Sequence, residues 1–194
     1  MTSVLRLMAV AFLVASCGGR DHSPPRNLDD ACALASERPA YLRAMRDTER
    51  EWNVPVPVQM AIIHAESRFD GGARTPHRYA LGVIPLGRQS SAYGYSQALD
   101  GTWDEYQAAT RNRRAQRDDI RDATDFIGWY AAEAQRANSI HPANARELYL
   151  AYHEGNTGYA RGSYRNQAWL IAVADNVANR AVMYDQQLRT CGRR

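Results

Sequence analysis

The chain has 194 residues, 45% of them hydrophobic, a length that suits one domain with a continuous core rather than two domains. Its 24 basic residues are all arginine, but the formal net charge at pH 7 is only +3. This balance gives no support for nucleic-acid binding, although an arginine-rich surface suits an acidic polymer.

The first 16 residues have the pattern of an export signal. Arg6 precedes an apolar run that is too short to span a membrane, and small residues follow at 15–16. Cys17 comes directly after Val-Ala-Ser, which resembles the lipobox of bacterial lipoproteins, where the cysteine is acylated and begins the mature chain. An ordinary secretory signal that contains a cysteine is the alternative. Diacyl or triacyl modification of Cys17 implies stable attachment to a membrane.

The prediction divides the chain into three parts: a signal peptide over residues 1–16, a flexible tether rich in Gly, Ser and Pro over 17–28, and a domain over 29–194. Gly18 stands where an aspartate favours the inner membrane in lipoprotein sorting. We therefore expect an exported, lipid-anchored protein at the periplasmic face of the outer membrane.

Two cysteines remain near the ends of the predicted domain, Cys32 and Cys191. An exported chain permits a disulfide, so we expect them to pair, with two unrelated thiols as the alternative.

The domain is predicted to be mainly α-helical, a compact fold of about six or seven helices. Apolar residues recur every three or four positions, and Pro or Gly separates the runs. Nothing predicts a long strand. Helices are expected over 30–37 and 39–52 and from Pro57 to a turn at Gly71-Gly72. A fourth helix begins at an N-cap at Asp100, and a fifth begins at residue 118 or 119. The last two are expected over 144–153 and over 167–189, with Trp169 on the buried side of the last helix.

Residues 70–93 have no clear period and contain several Gly and Pro residues. A connection of this length in a small domain is usually functional or mobile. We expect it to be a long loop.

Glu66 lies in the last turn of a predicted helix, after the apolar pair Ile62 and Ile63. Apolar neighbours and the negative end of a helix both raise the pKa of a carboxyl group. A carboxylic acid that keeps its proton near neutral pH can act as a general acid. Arg68 would oppose this effect if it folded back, and Glu66 taken alone is more typical of a surface charge.

Three segments that occur in order along the chain support a catalytic role for Glu66. They are Glu66-Ser67-Arg68-Phe69, Gly94-Tyr95-Ser96-Gln97 and Ala151-Tyr152-His153-Glu154-Gly155. Together they resemble the signature segments of the soluble-type (SLT-like) lytic transglycosylases, whose catalytic domain has the goose-type lysozyme fold. The resemblance covers about residues 40–188 and implies a lysozyme-like helical domain.

The resemblance implies a role for each matching residue. Glu66 would be the single catalytic acid and base. Substrate-binding or orienting roles fall to Ser67, Tyr95, Ser96 and His153. They also fall to Gly94, where the chain would approach the substrate closely, to Gln97, which would line the saccharide groove, and to Tyr152, whose hydroxyl would hold Glu66. Tyr152 also suits a core aromatic, and both roles are compatible.

The sequence departs from the family pattern at three places. Tyr95-Ser96 replaces Leu-Met, so Tyr95 is expected to stack on a sugar where the Met thioether is absent. His153 replaces an asparagine, and it can donate a hydrogen bond but also titrate. The segment Arg74 to Ser91 is extra, and we expect it to flank the groove as a long loop.

Other catalytic classes find little support. The five histidines show no HExxH pair and no Cys/His cluster, and no G-x-S-x-G segment occurs, so no metal, cofactor or serine nucleophile is expected. Candidates for a second carboxylate are Asp70, Asp100 and Glu154, but Asp100 is better explained as a helix cap.

The resemblance therefore implies a lytic transglycosylase that acts on peptidoglycan glycan strands. It would cleave the β-1,4 bond between N-acetylmuramic acid (MurNAc) and N-acetylglucosamine (GlcNAc) and leave 1,6-anhydro-MurNAc ends. A hydrolytic muramidase on the same fold, or a non-catalytic peptidoglycan-binding lipoprotein, are the alternatives.

Overall fold

The computed structural model describes residues 21–81 and 83–191, without the side chains of residues 84 and 85. The predicted signal peptide and Cys17 lie outside the described residues. Within the described part the fold is mainly α, as predicted, with seven α-helices, one short 3-10 helix and one hairpin. The elements are α1 Ala31–Glu37, α2 Pro39–Trp52, α3 Val56–Ser67, β1 His77–Ala80, β2 Ile84–Arg88, α4 Asp100–Thr110, α5 Ile120–Asn138, α6 Ala145–Arg161, the 3-10 helix Ser163–Asn166 and α7 Ala168–Cys191.

Helix α3 is the centre of the domain. Nine of its twelve residues are buried, which is the pattern of a helix surrounded by others. It packs against α2, α6 and α7. The side chain of Gln59 is also buried, and its Nε2 donates to the carbonyls of Met45 and Val54, each at 2.8 Å. The largely apolar surface of α3 thus places its last turn, which carries Glu66, among the surrounding helices.

An aromatic cluster joins α4, α5 and α6. Its neighbouring ring centroids lie 5.0 to 6.2 Å apart, and its members are Trp103, Tyr106, Phe126, Trp129, Tyr130 and Tyr152. At its edge, Asp125 accepts hydrogen bonds from the Tyr106 hydroxyl at 2.6 Å and the Trp52 indole at 2.7 Å. The cluster fixes the position of α6 relative to α4 and α5.

Cys32 and Cys191 form a disulfide, the pairing that the sequence favours, with their Cα atoms 6.0 Å apart. The bond joins α1 to the last residue of α7. Among the described residues, the core and the apolar residues packed against it lie at Leu28 or later.

The segment 21–28, predicted as part of a flexible tether, packs on the domain. Asp21 forms an ion pair with Arg38 at 2.7 Å, and the His22 carbonyl accepts from the Gly71 N–H at 2.9 Å. The Leu28 carbonyl accepts from the Tyr184 hydroxyl. These contacts correct the tether boundary for the residues that the structure describes.

Residues 74–91 form a two-stranded antiparallel hairpin, not the loop that the sequence predicts. Strand β1 pairs with β2 in the register His77 with Arg88 and Ala80 with Ile84, with a bulge between His77 and Tyr79. Irregular pairing and the interspersed Gly and Pro residues remove the alternation that would have revealed the strands. In the part of the chain that the structure describes, no helix is long and apolar enough to cross a membrane.

Candidate active site

Helix α3 places Glu66 in its last turn, as the sequence predicts. The helix ends earlier than expected, because Arg68 and Phe69, and not the Gly71-Gly72 pair, take left-handed conformations with φ of 53° and 62°. Such conformations are costly for side chains other than glycine and persist where packing imposes them. The Phe69 ring is fully buried, so the core holds this turn in place.

The carboxyl group of Glu66 lies in an apolar place that is only partly open to solvent. Ile62 and Ile63, on the preceding turn, are fully buried. Burial raises the pKa of Glu66 to about 7, although a hydrogen bond with the Tyr149 hydroxyl acts in the opposite direction. A carboxyl group with this pKa is partly protonated at neutral pH, as a general acid must be.

The hydroxyl that holds Glu66 belongs to Tyr149 and not to Tyr152, which corrects the role expected for Tyr152. The Tyr152 hydroxyl donates to the Ser96 carbonyl at 2.7 Å, and its ring packs against Tyr130 at 5.0 Å. Tyr149 lies three positions earlier on α6 and therefore on the same face of the helix. Tyr152 supports the site by fixing the backbone of the second segment.

Ser67 connects α3 to the second segment. Its hydroxyl is buried and donates to the Tyr95 carbonyl at 2.8 Å. Tyr95 itself is only 2% exposed, and its hydroxyl shares a hydrogen bond of 2.7 Å with that of Tyr41. Its ring occupies the space where Gly71 lacks a Cβ. Tyr95 is thus a core residue, which corrects the expectation that it stacks on a sugar.

Gly94 is required by a backbone contact, and its expected role in substrate approach stays a prediction. Its φ is +78°, and a Cβ at this position would lie 2.0 Å from the Arg117 carbonyl oxygen. Gln97 follows in a left-handed conformation, and its Nε2 donates to the carbonyls of Ala73 at 3.0 Å and Gly94 at 2.8 Å. These bonds leave its Oε1 without a partner among the described residues, so a role for Gln97 in the saccharide groove stays a prediction.

Ser96, the residue that replaces the family's Met, is fully buried. Its carbonyl accepts from Tyr152, and its hydroxyl has no hydrogen-bond partner within the described part of the chain. No substrate-facing role of the Ser96 side chain follows from this position.

The third segment ends in a break of α6. Gly155 has φ 73° and ψ 156°, which interrupts the helix after His153 and Glu154. His153 is exposed, and its Nδ1 lies 3.1 Å from Glu154 Oε1. Its ring meets the Trp169 indole edge to face at 5.1 Å. Trp169 is 57% exposed, so the prediction that it lies on the buried side of α7 is wrong.

The three candidates for a second carboxylate each have a structural role. Asp70 accepts the Gly72 N–H at 2.8 Å and closes a turn. Asp100 is not the cap of α4, since Leu99 takes that position and Asp100 forms an ion pair with Arg117 at 2.6 Å. Glu154 accepts from Ser163 and from Gln167, and these hydrogen bonds, the one from Ser163 foremost, lower its pKa.

A cleft of about 630 Å³ lies beside Tyr130. Thr102 and Glu105 of α4 line it together with Tyr130 of α5 and Gly155 and Asn156 at the break of α6. Tyr130 contacts the ring of Tyr152 at 5.0 Å, which links this cleft to the third segment. The sequence analysis did not single out Glu105, whose exposed carboxylate has no ion-pair partner among the described residues.

Tyr149 is the site residue that the sequence analysis missed. The signal for it was its spacing, because a residue three positions before Tyr152 shares its helix face. Across residues 21–81 and 83–191, no group of three His, Cys, Asp or Glu side chains is arranged to hold a metal ion.

In a comparison with known protein families, the family model described as "Transglycosylase SLT domain" matches residues 5–191. A search of curated proteins found none that matches this chain.

Proposed function

Because the chain belongs to the transglycosylase SLT domain family, we propose that it cleaves the β-1,4 bond between MurNAc and GlcNAc in peptidoglycan and forms 1,6-anhydro-MurNAc ends. Glu66 is the single acid and base of this reaction. The observation that carries the proposal is the partly buried Glu66 carboxyl, whose pKa is raised to about 7 beside the Tyr149 hydroxyl.

In the first step Glu66 gives its proton to the glycosidic oxygen, and the bond from this oxygen to the anomeric carbon of MurNAc breaks. The acetamido oxygen of the substrate stabilises the anomeric carbon as positive charge develops there. The Glu66 carboxylate then takes the proton of the C6 hydroxyl, whose oxygen attacks the same anomeric carbon. The proton balance closes, since Glu66 ends protonated and no water is consumed.

The Tyr149 hydroxyl contacts Glu66 in both steps of the reaction. Its hydroxyl can hold the carboxyl group in place when Glu66 is protonated and can donate to the carboxylate after proton transfer. A hydrogen bond to the charged form lowers the pKa, which keeps burial from making Glu66 too weak an acid.

A second candidate function is hydrolysis, and Glu105 is the observation that favours it. A conventional glycosidase uses a second carboxylate to activate water. Glu105 lines the cleft beside Tyr130, whose ring contacts Tyr152, and it forms no ion pair with the other described residues. A binding protein without activity is the remaining alternative.

One experiment separates the three functions. Purified peptidoglycan is digested with the protein, and the fragments are analysed by mass spectrometry, with Glu66→Gln and Glu105→Gln as variants. Anhydro-MurNAc ends that depend on Glu66 and not on Glu105 support the proposal. Reducing ends that require both residues support a muramidase, and intact glycan with the wild type supports a binding protein.

We also propose that the protein is exported and anchored by lipid at Cys17, at the periplasmic face of the outer membrane. The proposal rests on the residues around Cys17 in the sequence. Growth of producing cells with labelled palmitate should label the protein in the membrane fraction. The variant Cys17→Ser should lose the label, and labelling of this variant would contradict the proposal.

A further inference from the structure

The β1–β2 hairpin exposes four large apolar side chains, here called the hairpin patch. Tyr79 is 54% exposed, Leu81 92%, Val83 76% and Leu86 57%. Other large apolar residues with similar exposure in the described part of the chain are scattered singly over the surface. A concentration of exposed apolar side chains on one element is typical of an interaction site.

The chain around the hairpin patch carries only positive charge. Residues 71–99 contain Arg74, Arg78 and Arg88 but no Asp or Glu. Arg88 donates to the Thr75 carbonyl at 2.7 Å, and Arg74 lies over the Tyr93 ring at 3.8 Å. No carboxylate among the described residues pairs with any of the three guanidinium groups. The hairpin is therefore a cationic element with an apolar tip.

The hairpin is also held firmly at its base. The Thr75 hydroxyl donates to the Ser90 carbonyl at 2.9 Å, and the Gln89 N–H donates to the Pro76 carbonyl at 3.1 Å. An ordered hairpin presents its apolar tip without the entropy cost of ordering a loop on binding.

The distances along the hairpin match the depth of a membrane interface. Arg78 lies three residues before Leu81, and Arg88 lies five residues after Val83. At about 3.3 Å per residue, the two arginines lie roughly 10 to 16 Å behind the tip. Apolar faces of interfacial segments enter the boundary of headgroups and acyl chains by about 5 to 10 Å. With the tip at that depth, Arg78 and Arg88 reach the lipid phosphates.

We propose that the hairpin patch inserts into the surface of an anionic lipid bilayer. Leu81 and Val83 enter the acyl boundary, Tyr79 takes the interfacial position that aromatic rings favour, and the arginines bind lipid phosphates. Glycan strands are polar and offer no apolar phase for Leu81 and Val83, so a membrane fits the patch better than the sugar polymer. This inference does not depend on the catalytic function proposed above.

Vesicle binding tests the proposal with the full chain carrying Cys17→Ser, which no lipid can anchor at residue 17 and which is the wild type for the hairpin in this comparison. Vesicles of phosphatidylcholine and phosphatidylglycerol in equal parts are compared with vesicles of phosphatidylcholine alone by co-sedimentation. We expect the wild type to bind the anionic vesicles about tenfold or more strongly. The double variant Leu81→Ser, Val83→Ser should bind them about tenfold or more weakly than the wild type.

The variant Val182→Ser is a matched control. Val182 is another exposed apolar residue, but it lies on α7, and its substitution should leave vesicle binding unchanged. Absence of wild-type binding, equal binding to both vesicle types, or full binding by the double variant would each overturn the proposal. A double variant that loses binding to purified peptidoglycan instead of to vesicles would also overturn it and would assign the patch to the glycan.

Discussion

The substitution Glu66→Gln tests whether the fold holds the Glu66 carboxyl group in a place that disfavours its ionised form. Burial raises the pKa of Glu66 from 4.5 to about 7. The unfolded chain loses this proton near the lower value and the folded chain near the higher one, so the native state binds one more proton between them. The free energy of unfolding of the wild type therefore falls by about 1.4 kcal/mol per pH unit in this window, by about 3 kcal/mol in all, and then stays level.

Glutamine is uncharged at every pH, so the free energy of unfolding of the variant does not fall in this way as the pH rises. Relative to the wild type, Glu66→Gln should gain about 3 kcal/mol of stability between about pH 4 and about pH 8. Urea unfolding followed by tryptophan fluorescence at both pH values measures the difference. Glu51→Gln, at an exposed position of α2, is the control and should show no comparable gain. The same stability difference for Glu66→Gln at both pH values would refute the reasoning.

Three further predictions follow from the contacts around the site. Tyr149→Phe removes the bond that lowers the pKa of Glu66, so an NMR titration of Glu66 should give a pKa above about 7, whereas Tyr152→Phe, which frees only a backbone carbonyl, should change it less. Gly94→Ala places a Cβ against a carbonyl oxygen and should lower the free energy of unfolding by about 2 kcal/mol or more, while Gly101→Ala, in open space on α4, should raise it by up to about 1 kcal/mol, both measured by urea unfolding. Reduction of the disulfide should cost up to about 5 kcal/mol, because the bond closes a loop of 159 residues, and an unchanged urea midpoint after reduction would contradict this.

Most of the helices could be predicted because each buries one continuous side, whereas α3 is buried nearly all round. Apolar residues three or four positions apart and the Pro and Gly breaks predict α1, α2 and the start of α5 to within a residue or two. The hairpin could not be predicted in the same way. Its exposed apolar residues follow no period, since they face no core, and periodicity reports burial and nothing else.

The sequence predicts the place of Glu66 in the last turn of α3, but the contacts of several residues around it differ from those expected. A motif match places a residue in the chain, but it does not determine which way the side chain points. Tyr149 and Tyr152 share a face of α6. The Tyr152 ring packs against Tyr130, and the hydroxyl that contacts Glu66 is that of Tyr149. Tyr95 was expected in the groove, but the small volume of Gly71 lets its ring turn into the core.

The disulfide between α1 and the end of α7 has a consequence for how the protein opens locally. In most domains the terminal helices fray first and exchange their amide hydrogens fastest. Here α1 and the last turn of α7 are covalently joined, and α1 also packs against α2 and α7. Protection against hydrogen exchange should therefore extend through α1 and through the last turn of α7, the two helices at the ends of the described chain.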